Sequence, residues 1–486
     1  MIAAEWLKFR TVRGWVVAVV IALAAIAFLE LVGGPQGSCN VASCTPLLGP
    51  GGEPVSDNFY FVGSAVSGNG TITARVSSLT SDISTPKTNA ERVSVPWAKA
   101  GLILKASLSQ GSAYVAIMIT GTHGVRMQDD FTGDIAGPSL KAAWLRLVRD
   151  GSTVTGYASA DGAAWTKVGT ITLQGLPRTV HAGMFVTSPQ YTRTSLGVMA
   201  VDSDLSQSTA TFDDVSPSWP AASLTGTGVG EQTSGPAAGP AFGYSTSAGR
   251  YTITGTGDIA PSTDGPAGSG VTYSQVLGGT FLALILLVII GAMFVTAEYR
   301  SGLIRVTLAA CPKRGRVLAA KAFVTGTVAF AAGLTGAAIA LPLGLANVRD
   351  HGAYLAPVPL LTEIRLVAGT AAVLALCAVL AVAIGAIVRR GIAAVAAVTV
   401  LVILPYVLSA SIAVLPLDLA DWLMRLTPAA AFAVQQTAIQ YPQIDEIYSP
   451  DYGYWPLPAW GGFAVLCAWT AAALALAYVM LNRRDA

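Results

Sequence analysis

The residues able to do chemistry are few and scattered. Asp129, Asp130 and Asp134 form an acidic group that could offer oxygen ligands to a hard cation such as calcium; carboxylates beside Gly133 serve equally well in a turn. Trp97, Trp144 and Trp165 could stack on a sugar, and aromatics alternating into a sandwich core would read the same way. His123 and His181 stand alone, without the spacing of metal ligands. Glycoside hydrolysis needs two carboxylates flanking one bond, yet Glu53, Glu91 and Glu231 are the only glutamates between the first two apolar runs. No Gly-Lys dipeptide occurs, so a phosphate loop for ATP is absent. These residues assign no catalytic group, no metal and no cofactor to the chain.

The elements that must carry them fall into two environments. Hydrophobic residues make up 53% of the chain and charged residues 12%, with a mean hydropathy of +0.58, which describes a membrane protein. Six apolar runs reach the length needed to cross a bilayer: 15–33, 276–296, 322–346, 366–388, 392–415 and 460–481. Lys8, Arg10 and Arg13 precede the first; Arg300, Arg305, Lys313, Arg314, Arg316 and Lys321 follow the second; Arg389 with Arg390 and Arg483 with Arg484 flank later runs. The positive-inside rule then puts both termini in the cytoplasm and residues 35–272 outside, in a multi-pass protein of the cell membrane. A cleaved signal peptide is the other reading of run 15–33. The net charge of +2, with no basic stripe, argues against a nucleic-acid partner.

The runs hold no charge near a midplane, since Glu30 and Glu363 fall near outer ends, so no ion-coupling site is visible. Any transport must draw its energy from a partner.

Between the first two runs, residues 57–217 read as an all-β sandwich, with alternating segments at Thr71, Ala100, Ser112, Ala142 and Ser152 and hairpin turns at Asp150-Gly151 and Asp161-Gly162. Residues 35–56 form a linker in which Cys39 and Cys44, if extracytoplasmic, can pair as a disulfide stabilising by about 2 kcal/mol; two free thiols are the alternative. Residues 218–272, rich in Gly, Ser, Thr and Pro, read as a tether with a small strand pair near Arg250. The sequences WAKAGLILKASLSQGSAYVAIMITGTHGVRMQ and WLRLVRDGSTVTGYASADGAAWTKVG resemble concanavalin/laminin-G-like jelly rolls of the type common in actinobacterial secreted proteins.

The segment from Glu298 to Lys321 is too polar to cross a membrane and too regular for a random loop. Leu303, Val306, Thr307 and Ala310 recur at helical spacing, and Pro312 stops the pattern. A short amphipathic helix results, suited either to a groove on a soluble partner or to the lipid interface. Before the first run, Trp6 and Phe9 can sit at headgroup depth, with Lys8, Arg10 and Arg13 facing cytoplasm or phosphates and Glu5 beside them, as in any positively flanked anchor.

Glu298, Gly302, Pro312, Arg314, Arg316 and Lys321 resemble, in order, the coupling helix of type-2 ABC exporter permeases, with Leu303 where that family often has Thr. The opening AEWLKFRTVRGW and the segment LDLADWLMRLTPAAAFAVQQT are similar to that family's interfacial helix and its outer re-entrant element. The resemblance implies an α-helical bundle of six transmembrane helices, residues 1–34 and 273–486, with a coupling helix at 298–316, a re-entrant segment at 416–458 and an inserted jelly roll. It implies that Glu298, Arg300, Gly302, Arg305, Pro312, Arg314, Arg316 and Lys321 contact separate ATPase subunits, which hold ATP and Mg. It also implies a second permease copy or a related permease, a homodimer in the simplest case, and an exported substrate. The competing expectation is a membrane-anchored carbohydrate-binding or envelope-sensing protein.

Overall fold

A computed structural model describes residues 1–33, 46–83, 91–193, 202–220, 223–230, 242–262, 271–311, 313–351, 354–410, 417–444, 448–450 and 453–483. Cys39, Cys44 and Pro312 lie outside the described residues.

The apolar runs fold as helices because each peptide group can then be satisfied within its own segment. α1 (Ile2–Thr11) and α2 (Arg13–Gly33) are followed, after the sandwich, by α3 (Tyr273–Val276), α4 (Thr280–Arg300), α5 (Leu303–Ala310), α6 (Arg314–Asp350) and α7 (Leu360–Val388). The chain ends in α8 (Gly391–Ala410), α9 (Leu417–Leu426) and α10 (Ala459–Arg483). Among the described residues, α4, α6, α7, α8 and α10 are long and apolar enough to span a membrane. A sixth span results if α1 and residues 13–28 of α2, bent by 81°, count as one broken element.

α7 is the axis of the bundle, packing on α4, α6 and α10. Small residues permit this closeness, as membrane helix packing requires: a Cβ on Gly291 of α4 would stand 2.5 Å from the Ala378 carbonyl oxygen of α7. α6 runs past its apolar stretch at both ends, carrying Arg314, Arg316 and Lys321 inside the helix. After α9, a 3₁₀ helix, Pro428–Gln435, is buried along its whole length against α10 and α7.

Between α2 and α3, the described residues form two large antiparallel sheets and two short strand pairs. One orders Thr225–Val229, Phe59–Ser67, Thr179–Thr187, Lys99–Lys105, Tyr114–Thr120, Val125–Asp129 and Gly133–Ala136. The other orders Thr166–Thr172, Thr153–Ser159, Ala143–Asp150, Gly70–Ile83, Ser206–Pro217, Arg250–Gly255 and Gly243–Ser247, with Glu91–Val93 also paired to Gly70–Ile83. Their inner faces share a core of Val62, Leu102 and Ile117 against Ile72, Leu145 and Phe212. Phe59, Ile103, Tyr114 and Phe185 are buried on the opposite face of the first sheet. This double burial explains why Lys99–Lys105 and Tyr114–Thr120 are covered at every position.

The expected tether is corrected here. Residues 225–261 contribute four strands, including Ile259–Pro261, which pairs with the entering strand Val55–Asp57. Thr225–Val229 and Gly243–Ser247 are sheet edges and largely solvated, whereas Ile253, Ile259 and Ala260 are buried. The insertion thus closes on itself, and its two ends are fixed by the same strand. Lys105 Nζ meets Asp57 Oδ2 at 2.7 Å and Lys99 Nζ meets Asp258 Oδ1 at 2.8 Å, so two buried lysines of one strand hold the entry and the exit.

Candidate functional site

At the end of the bundle away from the sandwich, four ionic side chains from three helices converge. α1 buries the face carrying Glu5 and Phe9, one helical turn apart, and leaves Trp6, Leu7, Lys8 and Arg10 exposed, as is Arg13 at the start of α2. Val12 adopts an extended conformation, which breaks the helix and turns α1 across the end of α2. Glu298 lies in the last turn of α4, and Lys321 in the third turn of α6.

Lys321 Nζ donates to Glu5 Oε2 and Glu298 Oε1, both at 2.8 Å. Lys8 Nζ donates to Glu5 Oε1 and Glu298 Oε1, both at 3.0 Å, and reaches Thr307 Oγ1 of α5 at 3.5 Å. Glu5, Lys321 and Glu298 are 1%, 2% and 8% exposed. Two carboxylates and two ammoniums cancel in charge, with Lys8 at the exposed rim, which makes the burial of the other three sustainable and costly to interrupt. Beneath them the Phe294 ring lies 4.5 Å from Lys321 Nζ, with Phe9 edge-on at 5.6 Å between centroids. Burial pushes the Glu5 carboxyl up, but the hydrogen bonds and charges of Lys321 and Lys8 outweigh it and hold the group below its ordinary value.

This geometry revises several expectations. Lys8 pairs with Glu5 and Glu298 while its side chain stays 44% exposed, and Phe9 packs on Phe294 instead of sitting at headgroup depth. Trp6 is exposed. Glu298 and Lys321, expected to meet a partner, are enclosed by their own chain and fix the helix ends instead. The network was legible only in part: unlike charges at the borders of apolar helices were visible, but nothing local in the sequence joins Glu5 to Lys321.

α5 is a separate short helix, not one element running from 298 to 316. Gly302 forms its entrance at φ 73°, the left-handed region that favours glycine. Ile304, 5% exposed, anchors the helix, whereas Leu303 and Val306 are 55% and 66% exposed and Arg300, Arg305 and Arg316 are exposed around them. The apolar stripe therefore faces away from the chain. Arg314 donates to the Leu481 carbonyl of α10, tying the start of α6 to the last turns of the chain.

The candidates in the sandwich are committed elsewhere. Trp97 is buried and stacked on His123 at 4.0 Å, and Trp165 carries Arg146 at 3.8 Å on its face. Asp134 accepts from Arg126 and Gln128, and Asp130 accepts from the Tyr114 backbone N–H at 3.0 Å. Among the described residues, no three His, Cys, Asp or Glu side chains are grouped to hold a metal.

Comparison with known proteins gives one informative match. The family model described as ABC-2 family transporter protein matches residues 105–486. No curated protein matches the chain. Solved structures with some likeness include a functionally unknown protein from Saccharomyces cerevisiae, at 14% identity over 34% of this chain and 76% of that one, with a TM-score of 0.20. SCP-B, of the eqolisin peptidases, matches at 9% identity over 41% of this chain and 98% of its own, with a TM-score of 0.27. Scytalido-glutamic peptidase matches at 12% identity over the same shares, also with a TM-score of 0.27. Overlaps this weak carry no argument about fold or activity. The family match spans most of the chain and ends in the bundle of apolar helices, and on it the chain belongs to the ABC-2 transporter family, as a multi-pass membrane permease.

Proposed function

We propose that this chain is the permease subunit of an ATP-driven exporter, and that α5 is the element through which separate ATPase subunits act on it. The observation carrying this reading is the division of labour around α5: Leu303, Val306 and Arg305 are offered outward, while the helix ends behind them are bound together by Glu5, Lys8, Glu298 and Lys321. A rigid base with an apolar, cationic outer stripe suits docking into a groove on a soluble partner. Displacement of α5 would reach α1, α4 and α6 together, because one network joins them.

In this reading both termini and α5 are cytoplasmic, six spans cross the membrane, and residues 35–272 lie outside, with the sandwich as a jelly-roll-like accessory domain. ATP and Mg reside in the partner, and two permease copies complete the assembly. The chain itself is not catalytic.

Co-purification of the permease with its ATPase tests this. Arg305→Glu and Val306→Asp are expected to weaken capture and to lower stimulated ATP hydrolysis at least tenfold, with the permease still folded. Full capture and full stimulation by both variants would sink the assignment.

A further inference from the structure

One polar contact in the sandwich is sealed from water on both sides. Asp57, on the entering strand Val55–Asp57, and Lys105, at the end of Lys99–Lys105, lie 48 positions apart in the chain. Both side chains are fully buried, with Nζ 2.7 Å from Oδ2. The rings of Tyr114, Phe131 and Phe59 surround Nζ, their centroids at 5.5, 5.6 and 6.0 Å. The apolar cluster continues through Val55, Ile103 and Ile259.

The hydrogen bonds of this pair are unevenly distributed. Asp57 Oδ2 accepts from Lys105 Nζ and, at 2.7 Å, from the Gly111 backbone N–H, whereas Oδ1 is buried and has no partner among the described residues. Lys105 Nζ has two acceptors, Asp57 Oδ2 and the Ser112 carbonyl at 2.9 Å. An ammonium brings three N–H groups, while a neutral amine brings two and a lone pair. Two bonds donated by Nζ, and two accepted by one carboxyl oxygen with none at the other, fit an amine facing a carboxylic acid. Burial works in the same sense: it pushes the Asp57 carboxyl up and the Lys105 amine down, in each case outweighing the attraction of the other's charge. Asp130 is the other carboxyl whose charge reaches Lys105, and its Oδ1 is occupied by the Tyr114 backbone N–H.

We propose that Lys105 and Asp57 condense into an intramolecular isopeptide bond. The Nζ lone pair attacks Asp57 Cγ, the Nζ–Cγ bond forms and the Cγ–Oδ1 bond breaks. Oδ1 leaves as water, carrying its own proton and one from Nζ, and Oδ2, held by the Gly111 N–H, becomes the amide oxygen. Nothing is oxidised or reduced, so no co-reactant is required. Fixing amine and acid in contact turns their encounter into a unimolecular step, and the apolar surroundings keep water from reversing it. The Tyr114 hydroxyl belongs to the residue opposite Lys105 in the sheet, is buried without a partner among the described residues, and is at hand to pass the proton.

Lys99 supplies the contrast. Its Nζ meets Asp258 Oδ1 at 2.8 Å, but the Asp258 side chain is 18% exposed and the same oxygen also accepts from the Ile259 N–H. That carboxylate keeps contact with water, so one bond forms and not two. The entering strand becomes covalently part of the sandwich, whatever docks at α5.

The test is mass spectrometry of the purified full chain, reduced and denatured, with peptide mapping. The expected result is a chain lighter than its sequence by one water, and a branched peptide joining the segments that carry Asp57 and Lys105. Lys105→Arg and Asp57→Ala should each restore the full mass and the linear peptides. Linear peptides at both positions from the unsubstituted chain would overturn the proposal, whether no water is lost or one is lost to an aspartyl succinimide. A branch joining Lys99 to Asp258, with positions 57 and 105 left linear, would overturn it as well. The unsubstituted chain decides the matter, so a variant that fails to fold leaves the test intact.

Discussion

Lys321 and Glu5 lie 316 positions apart in the chain, and their side chains meet at 2.8 Å. Through that pair the first helix of the chain is fastened to the third turn of α6, and through Glu298 both are fastened to the end of α4. The N-terminal helix is thereby part of the mechanism that holds α5.

Removing one member of this set strands the others. Lys321→Met leaves Glu5 and Glu298 facing each other with only Lys8 between them, at an expected cost of about 3–5 kcal/mol. The double variant Lys321→Met with Glu5→Leu is expected to recover a large part of that loss. Thermal unfolding of the detergent-solubilised chain compares the two; equal destabilisation would show that the ion pair does not act as a unit.

Acid should release α1. Because Lys321 and Lys8 hold the Glu5 carboxyl below its ordinary value despite burial, the folded state binds fewer protons there than the unfolded state. The stability it contributes is therefore complete above the unfolded pKa and lost as pH falls through the lower folded one. Amide hydrogen exchange across Glu5–Phe9 is expected to be pH-independent in protection above about pH 5 and to lose protection below it. Glu5→Gln should abolish that acid transition.

Gly302→Ala places a side chain at φ 73°. Open space surrounds the position, so the cost is backbone strain alone, about 1–2 kcal/mol. Stimulated ATP hydrolysis should fall while the melting temperature of the sandwich stays unchanged, because the strain is confined to the entrance of α5.

In the sandwich, Asp57→Ala leaves Lys105 fully buried without its carboxylate, which should destabilise by about 3–5 kcal/mol. Asp57→Leu combined with Lys105→Met should be far milder. Separate melting of sandwich and bundle, followed by tryptophan and helical signals, measures both.

Much of the architecture was legible in the sequence because bilayer length and hydrophobic alternation are local signals. The apolar runs matched α4, α7, α8 and α10 closely, and Asp150-Gly151 marked a real hairpin. What escaped was non-local. The strands after residue 224 are rich in Gly, Ser and Thr, and only their pairing with strands far back in the chain, as of Thr225–Val229 with Phe59–Ser67 and Ile259–Pro261 with Val55–Asp57, separates them from a linker. Likewise Phe9 looked like a membrane-surface residue, since nothing near it announces that Phe294, almost three hundred positions later, will cover it, and nothing near Lys8 announces its pairing with Glu298. The outward stripe of α5 was readable from spacing, as was a stop at Pro312, but that α4 runs on to Arg300 and α5 starts only at Leu303 was not.

The central claim is that the exposed stripe of α5 meets a protein and not lipid. The most direct measurement places a short photocrosslinker on Val306→Cys, with Cys311→Ser removing the nearby thiol, in the assembled complex with its ATPase. The account predicts a covalent adduct with the ATPase subunit whose yield changes when nucleotide is added. Adducts with phospholipid alone, in a complex that still hydrolyses ATP under permease control, would contradict it.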